Sequence, residues 1–275
     1  MVWETVGLGA TATAGLWFSS RFAWWRPTVS VRFPRVLMYH MIQAPRSRAG
    51  FNGLRVSPEM FEQQLAWLRS DNWTFRFVSE LSDNWESLPD RCVALTFDDG
   101  YRDNFTAALP LLEKYNARAT LYLVWDRSGL DWSRNKKAHH DSGELRDEPK
   151  LSDIQVEQML ASGRIELGGH TITHLNMARA DRETKRQELV EGRQLLEDRF
   201  GVAVRSFAYP FGLYATGDTG LVREAGYSNA VTTHPGIDST TQPDRFQLRR
   251  VKISGRESMR GFRLRMRTGW RAWNK

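Results

Sequence analysis

Short apolar runs alternate along this chain with longer stretches in which apolar residues recur every third or fourth position. The first pattern reads as buried strands and the second as one-faced helices. Strands are predicted at residues 36–39, 93–97, 120–124, 165–167, 206–209, 229–232 and 248–253, with helices between them. Ser57-Pro58 makes a helix start, because a serine oxygen accepts from the first turn and proline fits its opening position. Phe61, Leu65 and Leu68 then follow on one face. Ser152 is placed to cap a helix that runs through Leu160 and stops at Ser162-Gly163, and Asp181 to open a charged helix that ends at Phe200-Gly201. Seven strands separated by helices predict a parallel α/β sheet, either closed into a barrel or open and doubly wound; periodicity does not choose between the two. Residues 126–150 break the rhythm: they are polar, carry His139 and His140, and show no period. They read as an inserted loop after a strand, either shaping a site there or making a solvated excursion.

Composition changes this picture little, and charge distribution changes it more. In 275 residues, 41% hydrophobic and 26% charged, there is neither a disordered composition nor that of a polytopic membrane protein. The single cysteine, Cys92, excludes a disulfide framework and a Cys-rich zinc module. The net charge is +7, but residues 1–56 hold seven Arg against one acid and residues 245–275 hold eleven Lys and Arg against one acid. The stretch between them is net acidic, with 30 acids against 21 bases. Basic ends on an acidic body suggest an anionic surface as partner, such as a membrane leaflet, rather than nucleic acid, for which no recognition motif is present. No protein partner is evident.

Residues 5–20 carry no charge but are rich in Thr, Gly and Ala, and fall short of the roughly 20 apolar residues of a spanning helix. Trp24 and Trp25 stand between Arg21 and Arg26, as in an interfacial belt. Glu4, with no base before Arg21, makes a poor signal peptide, although an atypical export signal or a plain helix are alternative readings. Residues 1–30 are therefore expected to be a membrane-associated segment and 31–275 the main domain with a basic tail. The arginine bias favours the cytoplasmic face of an inner membrane, with a periplasmic location as the alternative. Residues 259–275, with Phe262, Leu264, Met266, Trp270 and Trp273 among bases, read either as a basic amphipathic surface helix or as a closing helix.

Candidate chemistry gathers at strand ends. TFDDG at 96–100 puts two adjacent carboxylates after an apolar strand. Such neighbours raise each other's pKa unless a cation relieves them, and they point in different directions, so one can bind an ion and the other handle a proton. GGHTITH at 168–174 follows another strand, with His170 and His174 at the i, i+4 spacing of a two-imidazole half-site if the segment turns helically. Asp99 completes a two-His, one-carboxylate set suited to Zn²⁺, with Co²⁺, Ni²⁺, Mn²⁺ or Fe²⁺ as alternatives. FAYPFG at 207–212 ends a third strand, where Pro210 and Gly212 fix the backbone around Phe211. VLMYH at 36–40 brings His40 to the end of the first strand.

Together these segments resemble the polysaccharide deacetylase family, the NodB homology domain of carbohydrate esterase family 4, over roughly residues 35–255. TFDDG and HTITH resemble its first two motifs, and the 71-residue separation of Asp99 and His170 keeps them in the expected order. The resemblance implies a distorted (β/α)7 barrel, Asp99, His170 and His174 as metal ligands, and Asp98 as catalytic base. It also implies a role for the Phe211 backbone N–H as oxyanion donor, with Tyr209 and Pro210 beside it at the substrate. Two departures stand out. Ala208 occupies the place of the motif-three arginine that tethers the base, so Arg249 or Arg250 is expected to substitute. The late L-x-H segment is also absent. Circularly permuted members begin with a YHxI segment that supplies the histidine instead, and Tyr39-His40-Met41-Ile42 matches it, which makes His40 the expected general acid and His234 the reserve.

The implied activity is metal-dependent removal of N-acetyl groups from amino sugars of a bacterial surface polysaccharide or its lipid-linked precursor. Alternatives are the same chemistry on an O-acetyl ester, a formamide or a small molecule, and an inactive glycan-binding protein on the same fold. Trp125, Trp132 and Tyr209 are candidates to stack on sugar rings, with core packing as the competing role.

Overall fold

The computed structural model describes residues 24–129, 131–132 and 142–270. In chain order its strands are β1 (Arg35–Tyr39), β2 (Met41–Ile42), β3 (Arg55–Val56), β4 (Thr74–Phe75), β5 (Cys92–Asp99), β6 (Ala119–Leu123), β7 (Ile165–Gly169), β8 (Ser206–Ala208), β9 (Asn229–Pro235) and β10 (Leu248–Lys252). The α-helices are α1 (Pro58–Ser70), α2 (Val78–Asp83), α3 (Leu109–Lys114), α4 (Asp153–Ala161), α5 (Arg182–Phe200), α6 (Asp218–Glu224) and α7 (Met259–Thr268). All seven apolar runs form strands. They pair in parallel in the order β5-β6-β7-β8-β9-β10-β1, and β1 returns to β5, so the sheet closes into a seven-stranded barrel. Leu37 lies opposite both Leu95 of β5 and Val251 of β10, which is the closure that periodicity alone could not predict. The short β2, β3 and β4 carry no readable alternation because two residues make no period.

Alternation along the strands makes two apolar layers. Val36, Ala94, Tyr122, Ala208, Val231 and Leu248 pack together inside the barrel. Leu37, Leu95, Phe97, Leu121 and Leu167 face outward and pack with Phe61 and Leu65 of α1, Val156 of α4 and Leu189 of α5. Helix α2 plugs the amino-terminal mouth: Val78 and Leu81 join the inner cluster, and the Val78 N–H donates to Thr120 Oγ1 at 3.1 Å. With that end closed and all barrel strands parallel, the loops at the carboxyl ends are the ones free to build a site.

The predicted caps form. Ser57 accepts from Met60 N at 3.2 Å, Ser152 and Gln155 bond reciprocally at 3.3 and 3.0 Å, and Asp181 accepts from Thr184 N at 2.8 Å. Gly201 ends α5 in the left-handed region at φ 64°. Helix α7 is the closing helix rather than a free amphipathic one: Phe262 and Met266 are buried, and Phe262 meets Trp67 of α1 edge-on at 5.7 Å. The described part of the 126–150 insertion is anchored to the barrel although several of its residues are exposed. Lys150 bridges to Tyr101 beside β5, Glu148 is buried against Arg55 at 2.5 Å, and Glu144 accepts from Gly50 N at 2.8 Å. His139, His140, residues 5–20 and Trp273 lie outside the described residues. Among the described residues no helix is long and apolar enough to cross a membrane.

Candidate active site

Strand β5 ends in Asp98 and Asp99, both buried. Asp98 follows Ala94 and Thr96 on the inward face, and Asp99 turns away with φ at 78°, a left-handed value that takes its carboxylate out of the strand's alternation. β7 ends at Gly169, and His170 follows directly. A Cβ at Gly168 would strike the Tyr122 ring and one at Gly169 the Tyr227 hydroxyl, so the strand can run this close to its neighbours only with glycines.

Asp99, His170 and His174 converge. Asp99 Oδ1 lies 3.3 Å from Nε2 of each histidine, and the three ligand atoms fall within 4.8 Å of one another. His170 Nδ1 bonds the Ala208 carbonyl at 2.7 Å, which fixes the ring and directs Nε2 to the cluster. Two neutral imidazoles and one carboxylate are the donor chemistry of a divalent-cation site with open positions, so the residues fit such an ion. The expected helical turn between the histidines does not form. Residues 170–174 are a loop, with Thr171 at φ 66° and His174 at φ 57°. Glu188 of α5 holds that loop from behind: it accepts from Ile172 N at 2.7 Å, Thr173 N at 3.0 Å and Thr173 Oγ1 at 2.7 Å. Sequence reading missed Glu188, although it was detectable as a charge within the buried stripe Lys185, Glu188, Leu189, Gly192 and Leu196. Replacing Glu188 by Ala is expected to weaken cation affinity about 10–100-fold while leaving all three ligands in place. Calorimetric titration with Zn²⁺ checks this, and unchanged affinity would refute the role.

Asp98 is gripped by Arg250. The two guanidinium contacts measure 2.6 and 2.8 Å, and Arg250 also donates to Thr96 Oγ1 at 3.0 Å and the Thr232 carbonyl at 2.8 Å. Burial pushes the Asp98 carboxyl up, but the charge and hydrogen bonds of Arg250 outweigh it and leave the group below its usual value. Burial acts upward on Asp99 as well, and the two histidines beside it take it well below the usual value. Of the two candidate tethers, Arg250 faces inward, whereas Arg249 faces out and its backbone N–H donates to Asp238 at 2.8 Å.

His40 follows β1, with its carbonyl held by Asn104 Nδ2 at 2.8 Å from a π-type turn at Asn104–Ala108, a second contributor that sequence reading missed. Burial lowers the His40 pKa, against the opposing pull of Asp99 and Asp98, so the ring senses both acids. His234, at the end of β9, is exposed beside the Tyr214 ring at 5.9 Å.

Phe211 sits at φ 59° in the Pro210–Gly212 turn, its ring 4.3 Å from that of His174. A Cβ on Gly212 would collide with Thr233, so the turn lies flat on β9. Tyr209 does not present its ring to a ligand: it is fully buried, stacks on Tyr214 at 4.2 Å and donates its hydroxyl to the Phe246 carbonyl at 3.0 Å. Trp132 is also buried, 5.3 Å from the His174 ring, where it walls the cluster. Of the three aromatic residues considered for sugar stacking, Trp125 alone keeps partial exposure.

A model of the polysaccharide deacetylase family matches residues 86–230, more than half of the chain. The chain belongs to the polysaccharide deacetylase family. YxkH of Bacillus subtilis (strain 168), which bears a polysaccharide deacetylase name, is 29% identical over 235 residues, covering 84% of this chain and 75% of that protein. The solved structure of the Streptococcus pyogenes deacetylase PplD in complex with acetate superposes with a TM-score of 0.71 at 25% identity, over 87% of this chain and 99% of that one. The poly-β-1,6-N-acetyl-D-glucosamine N-deacetylase of Escherichia coli (strain K12) is 23% identical over 258 residues, 82% of this chain. The match spans only 37% of that enzyme's length. Membership, the closed barrel and the cluster make this polysaccharide deacetylase a hydrolase acting on carbohydrate acyl groups.

Proposed function

We propose that this deacetylase removes N-acetyl groups from the amino sugars of a polysaccharide, using one divalent cation, Zn²⁺ foremost, held by Asp99, His170 and His174. The observation that carries the reading is the convergence of those three side chains next to a separately tethered carboxylate, Asp98. When bound, the cation supplies Lewis-acid polarisation of the acyl carbonyl and acidifies water beside it.

The protein's own groups do the rest. Asp98 stays ionised because Arg250 holds it, and each carboxylate oxygen keeps a lone pair beyond the guanidinium contacts. It takes the proton of the attacking water as the new C–O bond forms. The Phe211 N–H donates to the carbonyl oxygen as negative charge develops there; losing one such donor typically costs about 2.7–4 kcal/mol. His40 gives a proton to the sugar nitrogen as the C–N bond breaks; burial outweighs the pull of the two aspartates and lowers its pKa, which makes the protonated ring a readier acid. Acetate and a free amino sugar result. A polymer of N-acetylglucosamine is the first substrate to try, since the Escherichia coli relative is named for one.

The test is acetate release from N-acetylated oligosaccharides, chromogenic acetyl esters and lipid-linked acetylamino sugars, with chelator and with Zn²⁺ or Co²⁺ restored. Expected is turnover of an amide-linked acetyl group, a loss of about 100-fold or more on chelation and recovery on adding metal. Undiminished activity after stripping, or no release from any of the three classes with metal loaded, would overturn the reading.

A further inference from the structure

The basic chain ends, far apart in sequence, meet in space. The segment leading into β1 runs along the last turn of α7: Val29 N donates to the Arg267 carbonyl at 2.8 Å, and Arg267 Nη2 donates to Thr28 Oγ1 at 2.9 Å. Buried Arg35 ties the two together, donating to the Met266 carbonyl at 3.0 Å and to the Val29 and Ser30 carbonyls at 2.7 and 2.8 Å. The Arg26 guanidinium lies 4.2 Å over the Trp270 ring.

This junction leaves a distinctive surface. Arg260, Arg263 and Arg267 recur at i, i+3 and i+7, so they share the solvent face of α7, and all three are exposed. Arg26 is exposed over Trp270, just past the end of α7, and among the described residues none of the four lies within 4 Å of a carboxylate. The opposite face of α7 is spent on packing through Phe262 and Met266, and its one buried arginine, Arg265, is neutralised by Glu257 at 2.5 Å. Trp24 and Trp25, which precede Arg26 in the chain, are about half exposed, 53% and 51%. Four arginines without acidic partners among the described residues, together with two half-exposed indoles, complement an anionic lipid surface. The indoles favour the bilayer over a soluble polyanion, because tryptophan gains at the headgroup boundary.

We propose that Arg26, the Arg260-Arg263-Arg267 stripe of α7 and the Trp24-Trp25 pair form one docking face that seats the folded domain on an anionic bilayer. The face stands independently of the deacetylase reading.

Flotation of the full chain with vesicles of phosphatidylcholine, with and without 30 mol% phosphatidylglycerol, tests it. Binding is expected only to the anionic vesicles and is expected to weaken as salt rises. The triple variant Arg260→Glu, Arg263→Glu, Arg267→Glu is expected to weaken binding by about 100-fold or more, at roughly fivefold per arginine lost. The matching triple Lys variant keeps it. Acetate release from a soluble oligosaccharide reports on the barrel and is expected to be the same in all three proteins, so loss of docking and loss of chemistry are told apart. Equal flotation of wild type and the Glu variant, equal binding to neutral vesicles, or capture by an anionic polysaccharide in preference to vesicles would each overturn the proposal.

Discussion

Asp98→Asn leaves the cation site intact and lowers kcat by about 10²–10⁴-fold, the usual contribution of a positioned general base. The amide is isosteric with the carboxylate but cannot take a proton from water. It also leaves Arg250 one acceptor where there were two, so some stability is lost along with the base. Cation affinity is the internal control, since the three ligands are Asp99, His170 and His174. Titration with Zn²⁺ together with acetate release separates the outcomes. Unchanged affinity with collapsed turnover supports the assignment, and turnover within tenfold of wild type removes Asp98 from the mechanism. Equal, negligible turnover in both proteins with metal loaded would instead favour a glycan-binding protein on this fold.

Arg250→Met has the largest expected effect on the fold itself. Arg250 is fully buried and Asp98 nearly so. Removing one partner of such a pair strands the other's charge and costs about 3–5 kcal/mol. The thermal midpoint therefore falls, and the loss depends on pH. With Arg250 present, the folded pKa of Asp98 lies below its unfolded value, so the pair's stabilisation is full above the unfolded carboxylate pKa, roughly 3.9, and fades as pH drops through the folded value. In Arg250→Met, the strongest opposition to burial is gone, only His40 and His170 still act downward, and the carboxyl rises. The acid limb of the kcat/KM profile moves to higher pH, because the base is protonated over a wider range. Arg250→Lys restores charge without the planar two-point grip and recovers only part of both losses. A pH–rate profile whose acid limb does not move in Arg250→Met would sever the link between this arginine and the base.

Both predictions rest on a tether that the sequence narrowed to two neighbours. Adjacent residues on a strand point to opposite faces, so Arg249 and Arg250 could not both serve, and only the register of β10 decides which turns inward. The metal set was readable because its residues fall within two short contiguous motifs. The i, i+4 spacing pairs the imidazoles only if the segment is helical, and it is not: two left-handed residues and a glutamate from α5 bring the rings together instead. Barrel closure was equally invisible to periodicity, because pairing β1 with β5 joins segments more than fifty residues apart and leaves no local mark. Two of the three aromatic candidates turn out to be core for a related reason. An indole or phenol ring looks the same in sequence whether it lines a rim or fills a core, and Tyr209 and Trp132 are both needed as filling.

The stopper that α2 forms beneath the inner layer has a consequence for how a long glycan meets this enzyme. With one mouth sealed and the interior filled by side chains, no passage runs through the barrel among the described residues, and a polymer cannot be reeled through it. A chain has to lie across the open rim with both of its tails in solvent. Such a geometry sets no requirement for a free terminus, and sugars deep within a strand are presented on the same terms as those at its tips.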